Sequence, residues 1–150
     1  MLENSSTWSV EHTIRCLVTA DFAWTFWTNV QNWMLDRDVE SVRIDGAFAA
    51  GTRGCTVSKS SGRLEWHIRE VVSGRRAVIE FPLDGAVGVF DWSFKDMGDA
   101  VSITQRCTIE GERAAQYAEF AGPALKAGMP MGMQKLCEAM QRAARLTPLT

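Results

Sequence analysis

Apolar and polar positions alternate over residues 8–17, WSVEHTIRCL. Trp8, Val10, His12, Ile14 and Cys16 share one face, and Ser9, Glu11, Thr13 and Arg15 share the other. Alternation with β-branched content predicts a half-buried strand. The period then changes. In TADFAWTFWTNVQNWMLDR, Ala23, Trp24, Trp27 and Val30 recur at helical spacing, with Phe22 and Phe26 on a second stripe. Thr19 or Asp21 can cap this helix by accepting a bond from a free backbone amide. Being apolar nearly all round, it should be wedged between other elements. Asn29 to Asn32 interrupts it, and Trp33, Met34 and Leu35 begin a second, shorter helical turn.

Period two returns over residues 39–44, 52–58, 64–72, 77–83, 87–95 and 101–110. Turn chemistry separates these strands: Asp45-Gly46, Ser60-Ser61-Gly62, Ser73-Gly74, Asp84-Gly85 and Met97-Gly98-Asp99. Connections this short join antiparallel neighbours, so six strands in a meander plus the first make a seven-stranded antiparallel sheet. One face collects Leu64, Trp66, Ile68, Ala77, Ile79, Phe81, Phe90, Trp92 and Phe94. The other collects Glu65, His67, Arg69, Glu80, Asp91, Ser93 and Lys95. Only the aromatic face needs covering.

The tail, from residue 112 to 146, is rich in Ala, Met, Lys and Glu, which favour helix. Leu125, Met129, Met133, Leu136 and Met140 form its apolar stripe. A straight helix over residues 113–145 would run about 50 Å. A domain of this size is only about 38 Å across. The helix is therefore expected to bend or restart, at Gly128-Met129-Pro130. The predicted class is α+β. A curved seven-stranded antiparallel sheet carries two short helices after its first strand and a long C-terminal helix over its concave face. A sheet that curls around its last helix can leave an apolar hollow.

Composition narrows the function. A chain of 150 residues predicts one domain, with an ordered core over about 8–145. Sixteen basic against eighteen acidic residues leave a net charge of −2, so no global field attracts nucleic acid or anionic membrane. Six Trp and seven Phe beside one Tyr suit a dry interior or a dry pocket. Cys16, Cys55, Cys107 and Cys137 form no C-x-x-C pair, and His12 and His67 are the two histidines. No zinc site and no cofactor are expected, and the cysteines read as buried apolar residues in a reduced, cytoplasmic setting. The N-terminus lacks signal-peptide features, and no apolar run approaches the roughly 18 residues of a membrane span.

The element order resembles that of the START-like (SRPBCC, helix-grip) superfamily, in its polyketide cyclase/dehydrase and lipid-transport branch. The residues that carry the resemblance are the aromatic first helix from Trp24 into Asn32-Trp33, the turns Asp45-Gly46 and Gly51-Thr52-Arg53-Gly54, the strand Trp66-His67-Ile68-Arg69-Glu70-Val71 before Ser73-Gly74-Arg75, and Ile109-Glu110-Gly111. These are packing and turn signatures, informative about fold rather than chemistry. The resemblance implies an apolar cavity between sheet and last helix. Members include lipid and sterol carriers, polyketide aromatases and cyclases, hormone receptors and the major birch pollen allergen.

The expected ligand-binding residues are Trp66, Phe81, Phe90, Trp92 and Phe94 on the sheet, Leu125, Met129 and Met133 on the helix, and His12 at the wall. Their plain alternative is core packing alone, and for His12 a satisfied core histidine. No catalytic residue can be assigned. Asp91, Gln105 and Arg106 could supply polar contacts in an aromatase-like site, but exposed strand positions are their default. The expected function is binding or carriage of a hydrophobic small molecule of lipid, sterol-like or aromatic polyketide-like kind. One alternative is a polyketide cyclase/dehydratase in the same cavity. Another is a protein-partner module resembling the heat-shock ATPase activator homologues. A homodimer is compatible with the sequence, and no feature of it decides the point.

Overall fold

The computed structural model describes residues 6–146, so the expected domain of residues 1–150 extends past it at both ends. The elements in chain order are β1 (Ser6–Cys16), α1 (Ala20–Thr28), a 3-10 helix (Val30–Leu35), β2 (Val39–Ile44), β3 (Arg53–Ser58) and β4 (Gly62–Val72). They continue with β5 (Arg76–Leu83), β6 (Ala86–Asp96), β7 (Val101–Gly111) and α2 (Ala114–Leu146). The strands form one sheet in the order β1-β7-β6-β5-β4-β3-β2, each pair antiparallel. This is the predicted meander, with the first strand returning to pair with the last.

Of the two candidate caps, Thr19 serves: its hydroxyl accepts from the Phe22 amide at 3.1 Å. Asn29 does not merely interrupt the helix. Its side chain accepts from the Gln31 amide and starts the 3-10 helix three residues earlier than the sequence pattern placed it. In β4 a bulge between Ile68 and Glu70 shifts the register, so Val71 pairs with Ala77 on the same face as Trp66 and Ile68.

The long helix departs from expectation. It neither breaks nor restarts at Gly128-Met129-Pro130, but runs uninterrupted for 33 residues through Pro123 and Pro130. Each proline leaves unpaired the carbonyl four residues before it, on Glu119 and Lys126. Both residues are exposed, so water can take those bonds.

α2 packs chiefly along β1, with lesser contact to β7 and α1. A Cβ on Gly122 would stand 3.2 Å from the Trp8 ring. Further on, Gln141 Oε1 accepts from the Leu17 amide at 2.9 Å. From 122 to 141 the helix rises about 28 Å, and from 8 to 17 the strand rises about 30 Å, so the two run parallel and in step. The helix start is tied to the β5–β6 turn: the Arg113 amide donates to Gly85 O, and Tyr117 Oη donates to Asp84 O, both at 2.9 Å.

Candidate functional site

The space between sheet and helix is largely filled by side chains. The tryptophans of the first helical pair take up much of the room. The Trp27 ring lies 4.9 Å from Trp92, 5.4 Å from Phe94, 5.4 Å from Phe48 and 5.9 Å from Trp33. Trp66 stacks near Trp33 at 5.4 Å, donates from Nε1 to Thr56 Oγ1 at 2.9 Å, and lays its ring over Gly54. Phe81 likewise lies over its cross-strand partner Gly88 and stacks on Phe90 at 5.0 Å. A side chain on either glycine would occupy the place of the ring. Trp66, Phe81, Phe94, Met129 and Met133 are all buried in this core.

Some residues of the inner face are less completely covered. Phe90, Trp92, His12 and Gln105 point inward yet keep partial exposure, as does Leu125 on the helix. Lys126 lies on the same helix as Leu125. Met133 and Met140 follow it by seven and fourteen residues, about two and four helical turns on, so the three share one helical face. The methionines are 1% and 0% exposed, whereas Lys126 is exposed. Ala114, Gly122 and Met129 are nevertheless buried, so the first half of α2 also packs against the sheet, with Leu125 half-buried between them.

Register assembles a row across the inner face of the sheet. His12 pairs with Gln105, Gln105 with Trp92, and Trp92 with Ala77. Of the three polar residues considered for an aromatase-like site, only Gln105 faces inward, and exposure was the wrong default for it. The signal was present in the strand itself, because Gln105 shares parity with buried Ile103, Cys107 and Ile109.

Asp91 and Arg106 belong to the outer face. Arg76 grips Asp91 with two bonds, at 3.0 and 2.7 Å, and Arg106 pairs with Glu11 at 3.0 Å. The bond to Asp91 is the main reason that the Arg76 guanidinium is held above its ordinary value. His67 also faces outward, 3.2 Å from Glu80, which Arg69 shares. Two surface depressions of about 370 and 400 Å³ also involve outer-face residues, among them His67 with Arg53, and Glu80 with Arg69. Among the described residues no three His, Cys, Asp or Glu side chains gather closely enough to hold a metal ion.

This architecture, a seven-stranded antiparallel sheet gripping one long C-terminal helix, is a helix-grip fold. No family model and no curated protein gives a significant sequence match. Among solved structures, norcoclaurine synthase from Thalictrum flavum, in complex with dopamine and hydroxybenzaldehyde, superposes with a TM-score of 0.75. It is 13% identical, over 97% of this chain and 91% of the other. The Zhui aromatase/cyclase from Streptomyces sp. R1128 also reaches 0.75, at 11% identity over 93% and 96% of the two chains. TTHA0849 from Thermus thermophilus reaches 0.71, at 15% identity over 90% and 98%. At such identities the likeness defines the fold.

Proposed function

We propose that this chain, as a single START-like domain, binds an apolar small molecule and sequesters or carries it in the space between the inner sheet face and the first half of α2. One observation carries the reading: Phe90 and Trp92, on the inner sheet face, are only half-buried, as is Leu125 on α2. Large rings left partly wet on a concave wall gain roughly 25 cal/mol per Å² when a guest covers them, less the cost of ordering that guest. Met129, at the edge of the core, is a flexible side chain that can adapt to such a guest. The norcoclaurine synthase structure, with dopamine and hydroxybenzaldehyde bound, supports a small molecule as the guest. Four free, buried cysteines agree with a reduced, cytoplasmic setting. The outer-face pairing of Arg63, Arg69, Arg76 and Arg106 with carboxylates weighs against nucleic acid as the partner.

A second reading, a polyketide cyclase or dehydratase, draws on the adjacency of His12 and Gln105 in the inner row. Proton transfer beside a polarised carbonyl needs a titratable group and a hydrogen-bond donor together. The solved aromatase/cyclase of like fold supports that reading.

Fluorescence titration with N-phenyl-1-naphthylamine tests the first reading. Saturable binding is expected, weakened about tenfold in Trp92→Ala through loss of a ring contact of about 1.4 kcal/mol. Phe120→Ala, a change on the exposed side of α2, should leave it unaltered. No saturable binding, or equal weakening by both substitutions, would remove the proposal.

A further inference from the structure

Among the described residues, two polar side chains on the inner wall make no side-chain hydrogen bond. His12 and Gln105 sit directly opposite each other in the β1–β7 ladder, and both point into the space beneath α2. Among the described residues neither side chain makes a hydrogen bond, although exposed polar groups elsewhere are extensively paired. Their neighbours along the inner face are apolar: Val10 and Ile14 on β1, Ile103 and Cys107 on β7, and Trp92 across the row.

Among the described residues no buried side-chain N or O atom lacks a partner, so water can bond these two until a guest displaces it, and a guest offering no bond would leave them unpaired at a cost. A glutamine amide offers two donors and an acceptor, and neutral histidine offers one of each. Together they can bond a hydroxyl or carbonyl oxygen from two sides, while the adjacent Trp92 ring presents a flat surface to whatever carries that oxygen.

We propose that His12 and Gln105 form a polar anchor for a ligand with a ring-bearing apolar body and one hydroxyl or keto oxygen. This rests on the cavity reading above and narrows it. A wholly hydrocarbon guest would leave both side chains unpaired, and a site built to bond an oxygen discriminates against the analogue that lacks it. The body would lie against Phe90 and Trp92, with its oxygen directed to the β1–β7 side.

Calorimetric titration with two probes of matched shape, 2-naphthol and 2-methylnaphthalene, tests the anchor. In the native protein the naphthol should bind at least as tightly, despite being the less hydrophobic of the pair. In Gln105→Leu and in His12→Phe its relative affinity should fall about tenfold, and binding of the methyl compound should hold or improve. An unchanged ratio across the three proteins would overturn the anchor and leave the cavity reading standing. Absence of saturable binding by either probe would overturn both. A measurement on the native protein covers the case in which a variant does not fold. The side-chain amide resonances of Gln105 should shift with 2-naphthol and not with 2-methylnaphthalene, and equal shifts with both would refute the anchor.

Discussion

Cys107 shows what a single position on the inner face experiences. It stands between Val10 and Phe90 in the ladder and is fully buried. Burial pushes its thiol from 9.0 up to about 12. Burial, reinforced by neighbouring Cys137, moves Cys16 in the same direction. Between the two values the unfolded chain releases a proton that the folded chain retains. The contribution to stability is therefore fully present below 9.0 and declines as pH rises toward about 12. The urea midpoint should drop between about pH 8 and about pH 10.5, and drop less in Cys107→Ala, whatever that variant's baseline. An identical fall in both proteins would contradict this. The same strand also shows how much one position can hide. Inward-facing Gln105 was readable from parity, but that its partner across the ladder would be His12 depended on the register between the first and seventh strands, a pairing of residues far apart in the chain.

At the scale of elements, α2 is the clearest case of context overriding local preference. Gly128 and Pro130 argue for an interruption, and an isolated helix would be weakened there. The observed helix is continuous because it is held from outside: at its start by the Asp84-Gly85 turn, and near its end by the bond from Leu17 to Gln141. Met133, Cys137 and Met140 seal its second half. If the proline is tolerated rather than required, Pro130→Ala should restore the bond to Lys126 and raise stability by about 1–3 kcal/mol. Thermal unfolding would register this as an increase of several degrees. A decrease would mean that the proline shapes the helix in a way the native packing needs. The first helical pair went the opposite way. Its all-round apolar character signalled a wedge, and Trp24 and Trp27 do pack against Phe94.

For the whole molecule, binding of a guest as proposed has a thermodynamic consequence. A guest that enters only the folded protein stabilises it by mass action, by about 2.7 kcal/mol at a hundred times its Kd. N-phenyl-1-naphthylamine at that excess should raise the melting temperature of the native protein, and the same concentration should raise it less in Trp92→Ala. No shift in the native protein would point to binding outside the folded interior.

Periodicity and turn residues, read along the chain, determined the strand count, the antiparallel order, the aromatic inner face and the charged outer one. Those properties are local or nearly so, because a side chain's face follows from backbone period and hairpins join neighbours in sequence. Which rings would pack together and which would stay within reach of water was decided only when α1, the 3-10 helix and α2 came over the sheet. Phe94 and Phe90 look alike in the sequence, yet Phe94 is covered by Trp24 and Trp27, while Phe90 stays partly open. That difference arises from contacts between distant segments, which no local period encodes.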